Sequence, residues 1–256
     1  MKQFFSGFIE LLVSIFGKSD SQNTKAESSA ANTKPSQPTT SPDKIGPIHG
    51  IDVSHHNNDR GPIDFRKVKA AGYDFVYIKA TEGTNYLDPY FYRNCEAAKA
   101  AGLLIGAYHF FRPGKDAVAQ AKFFYDKIKH IDLDLVLDCD WEVHDQIDEA
   151  EQVKRLKLFL DYILNTVGQK CMIYTGKWFI DEVDMKDRKT PLPQWLASHP
   201  LWLSDYSPAS VAIPAPWKSY TILQTSESGI VPGIVGKCDL NVFSGSLEQL
   251  KAIGSK

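Results

Sequence analysis

The residues best suited to chemistry lie where a predicted buried strand ends. Asp138, Asp140 and Glu142 occupy alternate positions directly after an apolar run that begins at Leu133. Because strand side chains repeat with a period of two residues, all three acids point the same way for as long as the strand persists. At a rise of about 3.3 Å per residue, successive Cα atoms of this set lie roughly 6–7 Å apart.

Three neighbouring carboxylates repel one another, so at least one of them should have a raised pKa. A carboxylic acid that stays protonated near neutral pH is suited to general acid catalysis, and a second, ionised carboxylate can stabilise positive charge. Enzymes that hydrolyse glycosides use one carboxyl group as the acid and a second as the carboxylate. Two alternatives remain open. The acids can face water or cap the next helix, or they can form a metal centre with His144 and Asp145, although no second histidine motif supports a metal.

Other predicted strand ends also carry polar and aromatic residues. The candidates are Asp52 and Asp239 as further acids, and Glu82, Lys79, Tyr108, His109, Tyr174, Trp202 and Gln224 as substrate contacts. In a parallel barrel the carboxyl ends of the strands form the active-site face. Aromatic faces can stack on sugar rings, yet cleft and core positions are equally expected for Tyr108, Tyr174 and Trp202. For His109 a hydrogen-bonded wall position is favoured over a catalytic one.

Apolar runs that alternate with helical patterns position these residues. Strands are predicted over 48–54, 74–81, 103–110, 133–140, 171–175, 201–204 and 220–225, and helices over 64–71, 89–101, 116–130 and 148–167. Gly72, Gly102 and Gly168 fall at expected helix ends. The alternation favours parallel βαβ units, and the later proline-rich region favours strands without full helices. The predicted fold is α/β, a modified TIM-like barrel, with a doubly wound open sheet as the alternative.

Composition excludes some partners and cofactors. The 256 residues carry a formal net charge of −2, which gives no basic face for nucleic acid. No glycine-rich phosphate-binding motif follows the first strand, and the chain has neither a GxSxG nor an HExxH motif. Cys95, Cys139, Cys171 and Cys238 form no CxxC pair, so they support no zinc ribbon and leave disulfide pairing and compartment open.

The N-terminal part differs from the rest in composition. Residues 4–16 are apolar apart from Ser6, Gly7, Glu10 and Ser14, and are too short to span a bilayer as a helix. Residues 1–17 therefore suggest a signal peptide or a membrane-associating helix. Residues 18–47 are rich in Ser, Thr and Pro and predict a disordered linker. A catalytic domain is expected over 48–256, in a protein that is secreted or held in the cell envelope.

Several motifs in one order match a known family. They are Gly50-Ile51-Asp52-Val53-Ser54, Lys79-Ala80-Thr81-Glu82-Gly83, Gly106-Ala107-Tyr108-His109-Phe110, the acids after Leu137, Ile173-Tyr174-Thr175-Gly176, Val231-Pro232-Gly233-Ile234 and Asp239-Leu240-Asn241-Val242-Phe243. The chain resembles the glycoside hydrolase family 25 lysozymes, which are N-acetylmuramidases, from about Ile48 to Gly245. The resemblance implies five β/α units followed by strands with few or no helices. It also implies a monomer acting on peptidoglycan glycan strands without a metal or organic cofactor.

The resemblance further implies hydrolysis of the β-1,4 bond between N-acetylmuramic acid and N-acetylglucosamine. A Glu would act as general acid, a nearby Asp would assist it, and the substrate N-acetyl group would participate. The family pattern Leu-Asp-x-Glu aligns with this chain in two registers. The first places Asp138 at the Asp and Asp140 where Glu is usual, and the second restores Asp-x-Glu with Asp140 and Glu142 but puts Asp138 in place of an apolar residue. We favour Glu142 as acid because Glu reaches one methylene further, with Asp140 assisting and Asp52 and Asp239 shaping the field. Leu223-Gln224-Thr225 departs from the usual Trp-Gln-Tyr.

Two other functions fit the same pattern. A sugar-binding module of this fold could have lost catalysis through the altered fourth strand, or the enzyme could cleave another β-glycoside such as chitin. The role in wall remodelling, prophage lysis or attack on competitors is not determined by the sequence.

Overall fold

The computed structural model describes residues 47–185, 191–206 and 210–253. The predicted apolar segment 1–17 and almost all of the linker lie outside these residues, so their proposed roles remain predictions. Pro47, placed at the end of the linker by composition, is the first residue of the first strand. Within the described ranges, no helix is both long enough and apolar enough to cross a membrane.

Nine strands and seven α-helices follow one another along the described chain. The strands are β1 (Pro47–Val53), β2 (Phe75–Glu82), β3 (Tyr86–Leu87), β4 (Leu104–Phe110), β5 (Asp138–Asp140), β6 (Met172–Gly176), β7 (Leu201–Ser204), β8 (Ile222–Gly229) and β9 (Cys238–Ser244). The helices are α1 (His55–Asn58), α2 (Phe65–Ala70), α3 (Phe91–Ala100), α4 (Ala117–Ile128), α5 (Glu149–Val167), α6 (Lys177–Met185) and α7 (Leu247–Lys251), with a 3₁₀ turn at Gln194–Ser198.

Eight of the strands close into a barrel. Their order is β1, β9, β8, β7, β6, β5, β4 and β2, and β2 pairs again with β1. All neighbours are parallel except β9, which runs antiparallel to β1 and β8. Five β/α units come first, with α2 to α6 as their main helices, and β7 to β9 follow without long helices. This confirms the predicted modified TIM-like barrel and excludes the alternative fold, a doubly wound open sheet.

Helix caps explain why the predicted helix bounds were close to the observed ones. The side chains of Asp64, Asp116 and Asp148 accept hydrogen bonds from backbone N–H groups in the first turns of α2, α4 and α5. Such caps satisfy amides that have no partner within the helix. Gly168 ends α5 with a left-handed φ of 76°, as its sequence position predicted.

The predicted strand over 133–140 is wrong in length, because only Asp138–Asp140 pair as β5. Leu135 and Val136 are buried, but their segment connects α4 to β5 without joining the ladder. In place of a regular backbone pair, the side chain of Asp134 accepts a hydrogen bond from the amide of Ile105 in β4 at 3.1 Å. The sequence reading also did not define β9 as a strand.

The apolar core forms two clusters, one inside the barrel and one between the barrel and the surrounding helices. Residues such as Ile51, Val76 and Cys139 face the surrounding helices, whereas those on the alternate positions, such as Phe75, Tyr77 and Met172, fill the barrel. All four cysteines are free and buried, three of them at most 2% exposed. Small hydrophobic behaviour is what buried thiols usually show.

Gly50 leaves the space that the Phe75 ring occupies inside the barrel. A Cβ atom at position 50 would lie 2.3 Å from that ring. We expect Gly50→Ala to lower the free energy of unfolding by about 1–3 kcal/mol, because overpacking a close-packed core forces shifts. Urea denaturation measures the loss. The double variant Gly50→Ala/Phe75→Leu should recover part of it, and an additive loss would contradict this packing account.

Candidate functional site

An open cavity of about 300 Å³ lies at the carboxyl ends of the parallel strands. Because β9 runs antiparallel, its first residues reach this same end, and Asp239 lies opposite Asp52 in the pairing register. The lining residues are Asp52, Ser54, His56, Lys79, Tyr108, Phe110, Asp138, Asp140, Glu142, Tyr174, Trp202, Tyr206, Gln224, Glu227 and Asp239. The structure therefore brings together residues that lie far apart in sequence.

Side-chain amides fix the orientation of Asp52. Its Oδ2 accepts hydrogen bonds from Gln224 Nε2 at 2.9 Å and from Asn241 Nδ2 at 2.8 Å. The carbonyl oxygen of Gln224 in turn accepts from the hydroxyls of Tyr174 at 2.9 Å and Tyr206 at 2.7 Å. Both ends of the Gln224 amide are thus engaged, and Asp52 has one fixed position on the cavity wall.

Asp52 and Asp239 behave as an acid pair. Burial, followed by the charge and hydrogen bond of Asp52, raises the pKa of Asp239 to about 9. Burial also raises the pKa of Asp52, although the amides of Asn241 and Gln224 oppose that rise. Since the amides stabilise the ionised form of Asp52, Asp239 keeps its proton at neutral pH and Asp52 is the acceptor.

The three acids around β5 form a row that runs outward along the cavity. Asp138 is fully buried, Asp140 is 6% exposed, and Glu142 is partly exposed just beyond the strand. All three line the cavity, whereas Cys139 and Trp141 between them pack in the outer cluster. The period-two pattern therefore extends to Glu142 even though the ladder ends at Asp140.

The pKa values of these acids rise along the whole row. Burial raises the pKa of Asp140 well above its usual range, and the charges of Glu142 and Asp138 add to the effect. Burial, then the charge of Asp52, raises the pKa of Glu142 to about 7, while Lys79 opposes both shifts. Because the charge of Glu142 raises the pKa of Asp140, ionisation of one of these two carboxyl groups disfavours ionisation of the other.

Asp138 occupies the deepest position in this row. Burial, then the charge of Asp52, raises its pKa well above the ordinary value. Within the described residues neither of its carboxyl oxygens has a hydrogen-bond partner of normal geometry. An ionised carboxylate would be costly at such a place, so Asp138 is protonated at neutral pH. It therefore suits the role of a neutral neighbour better than that of a charged catalyst.

One lysine balances part of this negative charge. Lys79 is the single lysine or arginine among the described residues that line the cavity. Its ammonium donates to Glu82 Oε2 at 2.7 Å and lies 4.6 Å from the centre of the Phe110 ring. Glu82 does not line the cavity itself. It holds Lys79 from the rim.

The predicted aromatic residues divide between cleft and core. Tyr108, Tyr174 and Trp202 all line the cavity, and Trp202 is only 2% exposed. Its indole Nε1 donates to Asn241 Oδ1 at 2.8 Å, which orients the amide that binds Asp52. Trp202 therefore supports the site more than it offers a stacking face, whereas the partly exposed ring of Tyr108 can contact a ligand.

His109 lies on the opposite side of the barrel wall, so the geometry does not support it as a substrate contact. It is fully buried, and its ring stacks on Phe159 with centroids 5.0 Å apart. Its nitrogens pair with Thr81 Oγ1 at 2.7 Å and Gln120 Oε1 at 3.2 Å. Burial lowers the pKa of His109 to about 3. His109 thus occupies a hydrogen-bonded position in the barrel wall.

Five lining residues are not among the candidates named from the sequence: Ser54, His56, Phe110, Tyr206 and Glu227. Ser54 follows the end of β1 and His56 lies in the short helix α1 directly after it, so both were detectable as part of the segment after Asp52. Glu227 was not, because the β8–β9 pairing shifts register between Gln224 and Ser226 and again before Gly229. A shifted register breaks the alternation from which facing residues are inferred.

The acid pair predicts how stability depends on pH. Asp239 has a folded-state pKa of about 9 against a usual 3.8, so its stabilising contribution is complete below about pH 4 and is lost as pH rises through 9. We expect the free energy of unfolding to fall by a few kcal/mol, at most about 5 kcal/mol, from pH 5 to pH 9. Asp239→Asn should flatten that fall, as urea titrations at several pH values will show. Asp161→Asn, at a half-buried helix position away from the cavity, is the control, and an equal slope in Asp239→Asn would contradict the assignment.

The described residues contain no group of three or more His, Cys, Asp or Glu side chains arranged to hold a metal ion. The carboxylate row consists of Asp138, Asp140 and Glu142. Its high pKa values arise from burial and mutual charge, as the neighbouring contacts indicate.

Comparisons with known proteins agree with this geometry. The family model for glycosyl hydrolases family 25 matches residues 51–234. The autolytic lysozyme of Clostridium acetobutylicum is 36% identical over 199 residues, covering 77% of this chain and 56% of that protein. Lysozyme M1 of Streptomyces globisporus is 30% identical over 235 residues, covering 86% and 76%. The structure of a family GH25 lysozyme from Aspergillus fumigatus has a TM-score of 0.70 at 29% identity, covering 82% and 100%. With the barrel and the carboxylate cavity in agreement, this chain belongs to glycoside hydrolase family 25 and is a glycoside hydrolase.

Proposed function

We propose that the protein is a lysozyme that hydrolyses the β-1,4 bond between N-acetylmuramic acid and N-acetylglucosamine in bacterial peptidoglycan. The observation that carries the proposal is Glu142, an acid with a pKa of about 7 beside the buried Asp140 in an open cavity. A general acid is most effective when its pKa lies near the working pH. Two similar proteins bear lysozyme names, and another is named N,O-diacetylmuramidase.

In the first step Glu142 donates its proton to the glycosidic oxygen as the C1–O bond breaks. The acetamido oxygen of the N-acetylmuramic acid attacks C1 and forms a cyclic oxazolinium, while Asp140 accepts a hydrogen bond from the acetamido N–H. Negative charge at Asp52 stabilises the positive charge that develops at the sugar. Glu142, now ionised, then removes a proton from the water that opens the ring. Glu142 thereby regains the proton that it gave to the leaving group.

The cavity walls supply the remaining substrate contacts. Tyr108 presents its ring where a sugar would lie, Tyr174 and Gln224 line the same cavity while holding Asp52, and Lys79 limits the total negative charge. Trp202 and Glu82 act indirectly by holding Asn241 and Lys79. His109 takes no part in substrate binding, because its ring packs on Phe159 of α5.

Such an activity belongs outside the cytoplasm, where peptidoglycan lies. We propose that the protein is secreted or held in the cell envelope, that residues 4–16 serve export or membrane association, and that the enzyme acts as a monomer. Names such as autolytic lysozyme and spore cortex lytic enzyme among the similar proteins support action on cell walls.

A substrate comparison tests the proposal. Purified enzyme is incubated with insoluble peptidoglycan and, separately, with chitin oligomers, and new reducing ends are measured. We expect release from peptidoglycan at a rate at least tenfold above that from chitin. Faster release from chitin would make the protein a different β-glycosidase. Tight wall binding without release would make it a binding module.

A further inference from the structure

We propose that the ion pair between Arg112 and Asp145 holds the loop that carries Glu142, which makes these two side chains positioning residues. The inference rests on the proposed function, since it concerns the placement of the general acid. Neither residue lines the cavity, and neither was singled out for this role by the sequence.

The loop after Glu142 contains an unfavourable turn. The amide of Ile147 donates to the carbonyl of His144 at 3.0 Å, which makes residues 144–147 a turn. Its central residues have positive φ angles, 47° at Asp145 and 59° at Gln146. Left-handed backbone is disfavoured for residues with a side chain, although Asp and Asn tolerate it best. Contacts from outside the turn must therefore hold it.

Those contacts come from the loop between β4 and α4. Arg112 Nη2 lies 2.6 Å from Asp145 Oδ1, and the amide of Gly114 donates to Oδ2 at 3.2 Å. The side chain of Asp145 is only 13% exposed, so this pair is less screened by water than a surface pair. A Cβ atom at Gly114 would lie 3.2 Å from that of Asp145, which shows how closely the two loops approach.

The ion pair continues a chain of alternating charges that starts in the cavity. Lys79 pairs with Glu82 at 2.7 Å, and Glu82 Oε1 lies 3.7 Å from Arg112 Nη1. Arg112 then pairs with Asp145, three residues beyond Glu142. The chain thus ties β2, the end of β4 and the loop after β5 into one rim. Loss of the Arg112–Asp145 pair frees the loop that follows Glu142 while the barrel remains intact.

Gln152 anchors the same loop from α5. Its Nε2 donates to the carbonyl of Ile147 at 2.7 Å, and its Oε1 accepts from Trp141 Nε1 at 3.4 Å. The residues just before Glu142 and just after the turn are therefore fixed. Gln152 and Phe179 also contact His144 at the start of the turn, whereas the ion pair and the Gly114 amide hold Asp145 at its centre, so the ion pair is the contact whose loss releases the left-handed residues.

The test compares Asp145→Asn, Arg112→Gln and their double variant on soluble peptidoglycan fragments. Asn keeps the tolerance for left-handed backbone, so Asp145→Asn removes the charge and leaves the turn conformation accessible. We expect kcat to fall at least tenfold in each single variant, with KM within threefold of the parent. The double variant should fall no further than the worse single one. The exposed pair variant Asp126→Asn, far from the loop, should match the parent.

Two additional measurements separate positioning from general damage. In a Glu142→Gln background, Asp145→Asn should cause no further loss, because a residue that acts through Glu142 has nothing left to position. A crystal structure of Asp145→Asn should show the Glu142 carboxyl displaced from its place beside Asp140. An undisplaced Glu142, an unchanged kcat or an equal loss in the Gln background would each overturn the inference. Inactivity of the parent enzyme would instead contradict the proposed function, and the crystal structure would still decide the inference.

Discussion

Glu142→Gln should lower kcat on peptidoglycan by about 10²–10⁴-fold, the usual contribution of a general acid. Gln has nearly the same shape but cannot give a proton to the glycosidic oxygen. The free energy of unfolding should stay within about 1 kcal/mol of the parent, because Glu142 lies partly exposed beyond the strand. Release of reducing ends measures the rate, and urea denaturation measures stability.

The pH profile of the parent enzyme belongs to the same prediction. Since Glu142 has a pKa of about 7 and must be protonated to act, kcat/KM should fall as pH rises through 7. Lys79 lowers the pKa of Glu142, so Lys79→Met should move this fall to higher pH. Full activity of Glu142→Gln would show that another residue supplies the proton.

Asp140→Asn should produce the second large effect, a loss of kcat of about 10²-fold or more. The variant keeps the size of the side chain but replaces one carboxyl oxygen with an NH₂ group, which cannot accept a hydrogen bond from the acetamido N–H. Asp140 is nearly buried, so a hydrogen bond to it acts in a medium of low dielectric constant, where such interactions are strong. Single-turnover kinetics separate this loss from weaker binding.

Asp138→Asn is the matched control for the choice of register. Asp138 is fully buried and protonated at neutral pH, so its amide variant should keep the rate within about tenfold of the parent. The alternative register, Asp138 with Asp140, requires the reverse. An inactive Asp138→Asn with an active Glu142→Gln would establish that alternative.

Patterns that depend on local physics were predictable from the sequence. Alternating acids after Leu137, aspartates before helices and glycines after them each act over a few residues, and the structure places them where expected. Closure of the barrel followed from the strand and helix order together with the family resemblance. The predicted site residues were brought into one cavity with two exceptions, Glu82 at its rim and His109 behind its wall.

Features that depend on pairing between distant segments were not predictable. Apolar residues at Leu135 and Val136 have the composition of a strand, yet the hydrogen bonds of Asp134 to Ile105 divert the segment from the ladder. Glu227 enters the cavity only because the pairing register of β8 shifts. The ion pair between Arg112 and Asp145 joins residues 33 positions apart across two loops, and no local sequence pattern indicates it.

The central claim is that this cavity cleaves the bond on the reducing side of N-acetylmuramic acid. Borohydride reduction of a peptidoglycan digest, followed by mass spectrometry, identifies the sugar at each newly formed reducing end. The account predicts N-acetylmuramitol ends with the parent enzyme and their near absence with Glu142→Gln. Reduced N-acetylglucosamine ends, or N-acetylmuramitol ends that persist at the parent's rate in Glu142→Gln, would contradict it.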